Sequence, residues 1–257
     1  MRVTVCQMRN LPGDFAADWR GLLEHARQTK PDLVLLPEMC FFPWLAATRQ
    51  VDPARWREAA RAHMEWEKEF PALRAKAVLG SRPVELAGRR LNQAYVWQPG
   101  EAARPAHEKY YLPDEAGFWE ATWYQPGEPE FLAAPAAGAL TGFLICTELW
   151  FAERARAYGK QGAHVVACPR ATPAGSVDKW LAGGRAAAVV SGAFCLSSNL
   201  AGPDGHGGQL GGLGFVAHPE EGDVLAVTSQ SEPFVTVEID LTEAEAAKGT
   251  YPRYVKE

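Results

Sequence analysis

The chain has 257 residues, of which 47% are hydrophobic and 22% charged, an ordinary composition for a globular protein large enough to bury a sizeable core. The net charge of −5, with no run of Lys or Arg longer than two, gives no electrostatic reason to expect nucleic-acid binding. The sequence begins directly with a strand pattern, without a leader or a membrane-spanning stretch, so we expect a cytoplasmic protein that binds no membrane.

Strand and helix patterns alternate through the first half of the chain. Asp14 is a plausible N-cap for a first helix whose apolar residues follow at helical spacing. Residues 32–37 form a continuous apolar run, typical of a strand covered on both faces. The predicted strands here are 3–7, 32–37, 76–80 and 92–98, and a second helix follows Pro53.

An irregular region is predicted from Pro105 to Pro129. It is rich in aromatic residues, Pro and Gly, and a loop of this length inside a compact domain is usually functional or disordered. Its six Tyr, Phe and Trp residues argue against disorder.

The second half adds strands at 163–168 and 193–198, with a helix at 178–190 between them. The last third is predicted to form antiparallel strands at 211–217, 223–228 and 234–240. The segment from Gly202 to Gly214 has too many glycines for a strand and lacks phosphate-loop spacing, so we expect a flexible loop near the site. No internal repeat or linker is visible, which predicts a single domain over residues 1–257.

Five cysteines bear on the chemistry. Their number is odd and none forms a CxxC pair, which argues against disulfides and against a zinc site of familiar spacing: Cys6, Cys40, Cys146, Cys168 and Cys195. Cys146 differs from the rest because it ends an apolar run and precedes a helix pattern from Trp150 to Lys160. The positive end of a helix favours a thiolate over a thiol, so this position suits a nucleophile.

Three further residues occupy comparable positions. Glu38 follows an apolar strand, and Lys109 and Glu120 lie in the irregular region from Pro105 to Pro129. A thiol with an ordinary pKa near 8.5 needs a base, and Glu38 is suited to take its proton and return it to a leaving amine. Lys109 and the backbone N–H of Thr147 are suited to stabilise the negative charge that develops on attack, with Glu120 holding the lysine.

These residues lie in motifs that resemble the Glu–Lys–Glu–Cys signature of the nitrilase, or carbon–nitrogen hydrolase, superfamily. The resemblance covers the whole chain and rests on Leu36-Pro-Glu38, Lys109-x-x-Leu112, Glu120 with Pro126-Gly127, and Cys146-x-Glu148. It implies Glu38 as general base, Lys109 as oxyanion stabiliser, Glu120 as supporting carboxylate and Cys146 as nucleophile. It further implies an α/β four-layer αββα sandwich, a homodimer or larger homo-oligomer, and no metal or organic cofactor.

Within the superfamily the motifs look most like amidases of the N-carbamoylputrescine amidase kind. Thr147 and Glu148 depart from the residues usual in that branch, and Thr147 also departs from the Cys-Trp-Glu of nitrilases. The residues after Cys146 supply none of the arginines found in enzymes for N-carbamoyl-D-amino acids. We therefore expect hydrolysis of a small linear amide or N-carbamoyl compound through a cysteine thioester.

Candidate substrate-binding residues follow from position. Arg170, just past a strand, suits a substrate carboxylate, and a structural ion pair explains it equally well. Five aromatic residues are candidates for the pocket wall, of which two or three at most are expected to touch substrate: Phe42, Trp44, Trp119, Trp123 and Trp150.

Two other functions stay open from the sequence. A nitrilase would convert a nitrile directly to a carboxylic acid. A non-catalytic member of the superfamily would serve as a binding or scaffold protein, although all four signature positions are intact here.

Overall fold

A computed structural model describes residues 1–255 and shows a mixed α/β fold. The strands within these residues are β1 Arg2–Met8, β2 Leu33–Leu35, β3 Ala77–Leu86, β4 Arg89–Trp97, β5 Arg104–Glu108, β6 Asp114–Glu115, β7 Phe118–Trp119, β8 Ala134–Ala136, β9 Ala139–Phe143, β10 Val165–Arg170, β11 Phe194–Pro203, β12 Gln209–Gly211, β13 Phe215–Ala217, β14 Val224–Val227 and β15 Phe234–Glu238. The α-helices are α1 Pro12–Thr29, α2 Pro53–Glu67, α3 Glu120–Trp123, α4 Ala152–Lys160, α5 Val177–Ser191 and α6 Leu241–Ala247.

The strands form two sheet layers. The first layer runs β5-β4-β3-β2-β1-β15, and the second contains β8-β9-β10-β11-β13-β14. The layers join where the end of β1 pairs in parallel with β11, at Gln7 with Asn199 and Met8 with Leu200. The two layers are therefore parts of one nearly continuous sheet.

Alternation along the strands divides the core between the layers. Val3 and Val5 of β1 share one apolar cluster with Val165 and Ala167 of β10, so these faces pack against each other. The opposite face of β1, at Cys6 and Met8, belongs to a second cluster that includes the α1 residues listed here: Phe15, Trp19 and Leu22. With α4 and α5 covering the second layer, the four-layer αββα arrangement expected from the sequence is confirmed.

One helix contact fixes the strand end that precedes Cys146. The ring of Tyr158 in α4 lies directly on Gly142, where a Cβ atom would overlap it. The Tyr158 hydroxyl donates to the carbonyl oxygen of Phe143 at 2.9 Å. The missing side chain at Gly142 thus lets α4 pack tightly on β9 and hold the backbone three residues before the cysteine.

Several boundaries differ from the sequence prediction. The N-cap of α1 is Leu11 with Pro12 at the first helical position, so the prediction of Asp14 as N-cap was wrong and Asp14 lies within the first turn. After Cys146 the chain forms a 3₁₀ turn, Cys146–Trp150, and α4 begins only at Ala152.

The prediction of a flexible loop from Gly202 to Gly214 was also wrong. β11 continues to Pro203 and pairs with β12, with Gly202 opposite Leu210. The carboxylate of Asp204 accepts the N–H groups of His206 and Gly208, which closes the turn between these strands. Glycines concentrate here because the turn needs residues with left-handed backbone, which glycine adopts easily. The two flanking strands pair despite the few glycines that they contain.

The region 105–129, predicted to be irregular, begins with strand β5 as far as Glu108 and also contains the short β6–β7 hairpin and one-turn α3, so the prediction holds only for the chain between these elements. No helix in the described part of the chain combines the length and apolar character needed to cross a membrane.

Candidate active site

The four signature residues converge at one edge of the two layers. Glu38 follows β2, Lys109 follows β5, Glu120 begins α3, and Cys146 follows β9. Glu38, Lys109 and Glu120 are completely buried, and Cys146 is 3% exposed. The chain therefore gathers two carboxylates, an ammonium and a thiol away from bulk water.

Lys109 joins the two carboxylates. Its Nζ donates to Oε1 of Glu38 at 2.9 Å and to Oε2 of Glu120 at 2.5 Å. Burial by itself lowers the pKa of Lys109, but attraction from Glu120 and then Glu38 outweighs it and raises that pKa. The lysine is therefore a fixed positive charge in the site.

Glu38 is held on one oxygen and open on the other. Asn92 of β4 donates to Oε1 at 2.7 Å, the same oxygen that accepts from Lys109. No group within residues 1–255 hydrogen-bonds to Oε2, although that atom is buried. The two hydrogen bonds to Oε1 fix the orientation of the Glu38 carboxylate. Its Oε2, which has no donor among residues 1–255, is therefore suited to accept a proton.

Glu120 carries a perturbed proton equilibrium. Burial raises the pKa of its carboxyl group to about 7, against the opposing attraction of Lys109 and with a further increase from Glu38. The Tyr124 hydroxyl, one helical turn later, donates to Oε2. Burial in this cluster thus shifts the pKa of Glu120 toward neutral pH.

Cys146 has a left-handed backbone, with φ of 49°, and its Sγ lies 4.0 Å from the carbonyl oxygen of Ala171. Burial, and then repulsion from Glu38, raises the pKa of the thiol well above its usual value, while Lys109 opposes the shift. The expectation that a helix end favours the thiolate is therefore not met. The segment is a five-residue 3₁₀ turn in a buried site, so desolvation outweighs its dipole, and the thiol needs a base.

Glu148 ties the cysteine turn to the lysine strand. Its carboxylate accepts the backbone N–H of Ile145 and the backbone N–H of Tyr110, both at 2.8 Å. Nε2 of His107 lies 2.8 Å from Oε2 of the same carboxylate. One buried carboxylate thus fixes the residue before Cys146 relative to the residue after Lys109.

A cavity of about 330 Å³ opens on Cys146. Predicted site residues Thr147, Trp150 and Glu120 line it. The other lining residues come from the β6–β7 hairpin, from the end of β10 and from the start of α5: Pro113, Glu115, Phe118, Ala171, Thr172, Pro173, Ser176, Lys179 and Trp180.

Of the five aromatic candidates, Trp150 alone lines this cavity. Phe42 lies beside the guanidinium of Arg55, and Trp119 lies beneath that of Arg49, 3.9 Å from the ring centroid. The indole N–H groups of the other two bond to backbone carbonyl oxygens, Trp44 to Gly117 and Trp123 to Thr48. The predicted contacts of Phe42 and Trp119 with substrate are therefore not supported by their positions.

Arg170 does not line the cavity either, so its prediction as a direct substrate ligand is corrected. The side chain is completely buried and donates to the Ser197 hydroxyl at 2.6 Å, the Thr172 hydroxyl at 3.0 Å and the Leu213 carbonyl at 2.6 Å. Within residues 1–255 it makes no ion pair, which also removes the alternative interpretation. Its three donors instead bind neutral acceptors behind the cavity wall.

The β11–β12 hairpin supports that wall from outside. Gly211 donates its N–H to the carbonyl oxygen of Thr172, and Leu210 forms an isolated antiparallel β-bridge with Pro173. Gly202 and Leu210 also line a larger cavity of about 660 Å³, which does not include Cys146. The segment from Gly202 to Gly214 thus lies near the site, but it contacts the side of the cavity wall that faces away from the cavity.

Sequence reasoning missed several residues that shape the site. Asn92 contacts Glu38, and Tyr124 contacts Glu120, only in the folded chain. No local sequence pattern indicates either contact. Glu148 lies in the Cys146-x-Glu148 motif and His107 lies two residues before Lys109, yet their contact joins segments 41 residues apart. Lys179 lies in the helix predicted at 178–190, and nothing in its local sequence marks it as a site residue.

Comparison with known proteins points to the same family as the sequence motifs. A family model described as "Carbon-nitrogen hydrolase" matches residues 2–249. A 2-oxoglutaramate amidase from Paenarthrobacter nicotinovorans is 25% identical over 241 residues, covering 87% of this chain and 77% of that enzyme. An N-carbamoylputrescine amidase from Solanum tuberosum is 30% identical over 152 residues, which is 52% of this chain and 50% of that enzyme.

Solved structures share the fold. A carbon–nitrogen hydrolase from Helicobacter pylori superposes with a TM-score of 0.85 at 23% identity, over 98% of this chain and 94% of its own. An amidase variant from a Nesterenkonia species has a TM-score of 0.74 at 23% identity, over 95% and 92% of the two chains. Its description reports the acetamide moiety of fluoroacetamide added covalently at its active-site cysteine.

Proposed function

This chain belongs to the carbon–nitrogen hydrolase family, as an amide-hydrolysing enzyme, and from that premise we propose that it hydrolyses a small linear amide or N-carbamoyl compound through a thioester on Cys146. The observation that carries the proposal is the placement of Lys109 between Glu38 and Glu120, beside a cysteine that opens on a cavity. The carboxylates and the lysine supply a base and a fixed positive charge to one nucleophile.

Acylation begins with a proton transfer. Glu38 takes the thiol proton on its open oxygen while Sγ bonds to the amide carbon, and the carbonyl oxygen becomes negatively charged. Burial, and then Glu38, raises the pKa of the Cys146 thiol, so the nucleophile needs this base for attack. The ammonium of Lys109 and the backbone N–H of Thr147 stabilise the oxyanion.

The tetrahedral intermediate then collapses. Glu38 returns the proton to the nitrogen, the carbon–nitrogen bond breaks, and ammonia or an amine leaves the thioester. Water attacks that thioester with its proton passing to Glu38, and the carboxylic acid is released as the proton returns to sulfur. From an N-carbamoyl compound the acid released is a carbamic acid, which breaks down to carbon dioxide and the remaining amine or ammonia. Glu120 holds Lys109 in place through both half-reactions.

The direct test is ammonia release from a panel of aliphatic amides, amino-acid amides and N-carbamoyl amines. Cys146→Ala and Cys146→Ser should abolish turnover with the circular dichroism spectrum unchanged, and Glu38→Gln should lose about 10²–10⁴-fold in kcat. Intact-mass analysis should find the acyl adduct on the native chain and none on Cys146→Ala. A fully active Cys146→Ala variant would refute the mechanism.

Two other outcomes identify the alternatives. A nitrilase would consume nitriles directly, so a matched panel of nitriles and their amides separates the two activities. A binding or scaffold protein would release no ammonia and form no acyl adduct with any member of the panel.

A further inference from the structure

Arg170 is a buried cation without a carboxylate partner. Its side chain is completely buried, and none of the ion pairs within residues 1–255 includes it. The guanidinium instead lies over two aromatic rings, with Cζ 5.3 Å from the ring centroid of Phe215 and 5.6 Å from that of Trp180. Aromatic faces attract a cation but do not neutralise it, so the positive charge of Arg170 acts on its surroundings.

Short links connect Arg170 to the reacting groups. Its own carbonyl oxygen accepts the backbone N–H of Glu38 at 3.3 Å. The carbonyl oxygen of the next residue, Ala171, lies 4.0 Å from Sγ of Cys146. Nη1 of Arg170 donates to Oγ1 of Thr172, a residue that lines the cavity. The guanidinium therefore lies directly behind the part of the cavity wall that is next to the sulfur.

The buried charges around the cysteine do not balance without Arg170. Lys109 supplies one positive charge between two carboxylates, those of Glu38 and Glu120. When both carboxylates are ionised, this cluster has one excess negative charge, and a thiolate on Cys146 adds a second. Besides Lys109, Arg170 is the one Lys or Arg side chain within residues 1–255 that is completely buried. It is therefore suited to offset the negative charge that forms on the sulfur.

Electrostatic attraction links Arg170 more strongly to the sulfur than to the base. Burial lowers the pKa of Arg170, and attraction from the ionised forms of Cys168, Cys146, Cys195 and Glu38, in this order, opposes the decrease. Because such an interaction is mutual, the guanidinium favours negative charge on the sulfur of Cys146 over negative charge on Glu38. It thus favours the transfer of the proton from the thiol to the carboxylate.

We propose that Arg170 is a positioning residue for the reaction at Cys146, whose unpaired positive charge stabilises the negative sulfur while the thiol proton is on Glu38. The inference rests on the proposed function in taking Cys146 as the nucleophile. The guanidinium is held in place by its three hydrogen bonds to neutral acceptors. Arg170 does not line the cavity, so its charge acts through the wall and not by contact with substrate.

The test measures the rate at which iodoacetamide alkylates Cys146 between pH 7 and pH 9, by peptide mass spectrometry. Arg170→Gln removes the charge and keeps an amide that donates to the neighbouring hydroxyls. The labelling rate at each pH should fall about 10-fold, because a smaller fraction of the thiol is ionised. The other charged side chains that act on Cys146 or line its cavity are the same in both chains: Glu38, Lys109, Glu115, Glu120 and Lys179.

Two controls separate the charge of Arg170 from its hydrogen bonds. Ser197→Ala removes the acceptor of Nε and keeps the guanidinium, and Arg61→Gln removes an exposed arginine of α2. Both should label Cys146 within about 2-fold of the native rate, since exposed charges are screened by water. A native labelling rate in Arg170→Gln, or an equal loss of rate in Ser197→Ala, would overturn the inference.

A second variant serves if circular dichroism shows that Arg170→Gln does not fold. Ser197→Asp places a carboxylate against Nε of Arg170 and cancels the charge while the arginine stays in place. It should slow the labelling of Cys146 as much as Arg170→Gln, and an unchanged rate would count against the inference.

Labelling needs no substrate and so separates this inference from the reaction. With an amide that the native enzyme hydrolyses, Arg170→Gln should lower kcat about 10-fold and leave KM within about 2-fold, because the guanidinium lies outside the cavity. A raised KM with unchanged kcat would assign Arg170 to substrate binding and overturn the inference. Slower labelling of Cys146 in Arg170→Gln, with no turnover of any amide by the native chain, refutes the proposed function and retains the effect of Arg170 on the thiol.

Discussion

The carboxylate of Glu148 accepts the backbone N–H of Tyr110 at 2.8 Å and so joins the cysteine turn to the strand end that carries Lys109. Neither residue belongs to the four-residue signature. The hydrogen bond nevertheless links the positions of Lys109 and Cys146, because Tyr110 directly follows Lys109 and Glu148 lies two residues after Cys146.

Glu148→Ala should destabilise the fold and reduce kcat. The substitution leaves the N–H groups of Ile145 and Tyr110 and the Nε2 of His107 without their common acceptor, and each unsatisfied buried group costs about 1–3 kcal/mol. We expect the free energy of unfolding in urea to fall by about 3 kcal/mol or more, and Glu148→Gln to fall less because its amide oxygen still accepts. Glu65→Ala, an exposed control, should stay within about 0.5 kcal/mol of the native chain.

Glu120 should make stability fall as pH rises toward neutrality. The folded chain holds the Glu120 proton with a pKa of about 7, raised by burial from the ordinary value of 4.5, so folding takes up a proton between these values. The contribution is full below the unfolded pKa and is lost as pH rises through about 7, with a slope of up to about 1.4 kcal/mol per pH unit.

Urea unfolding from about pH 5 to pH 8 measures this slope, and Glu120→Gln should flatten it. Tyr124→Phe removes a donor that lowers the pKa of Glu120, so the transition should move to higher pH. Identical slopes for the native chain and Glu120→Gln would show that Glu120 titrates as an ordinary carboxylate.

Gly127 should tolerate no side chain. It donates its N–H to the Lys109 carbonyl at 2.9 Å, and a Cβ there would overlap the Glu108 side chain and lie 2.5 Å from the Glu108 carbonyl oxygen. Gly127→Ala therefore displaces the backbone that carries Lys109, and kcat should fall about 10²-fold, as misplacement of a catalytic group by about 1 Å does. Gly13→Ala in the first turn of α1 meets no atom within 4 Å and should keep full activity; equal activity of both variants would contradict the prediction.

Iodoacetamide should label Cys146 selectively, faster as pH rises because burial and Glu38 raise the pKa of this thiol. Cys146 lines the cavity, whereas the other four cysteines are buried and line none of the described cavities: Cys6, Cys40, Cys168 and Cys195. Peptide mass spectrometry over a time course measures each site. Equal labelling of Cys40 and Cys146 would show that the cavity does not give the reagent access.

The sequence by itself predicted most of the longer strands and helices and the positions of Glu38, Lys109, Glu120 and Cys146, but not β5, β8, β12 or α6. It did so because apolar periodicity is a local property and because each of these four residues lies in a short motif. The raised pKa of the Cys146 thiol was not predicted, since a local helix end was visible in the sequence and the desolvation around the thiol was not.

Only the tertiary structure decided what surrounds those residues. The partners Asn92, Tyr124 and His107 come from segments far apart in the chain, and Arg170 faces the interior because β10 and β11 pair there. Lys179 enters the cavity through the packing of α5. Such contacts depend on how layers pack, which no local pattern encodes, and they place Cys146 in a buried cluster with Glu38, Lys109 and Glu120 that raises the pKa of its thiol.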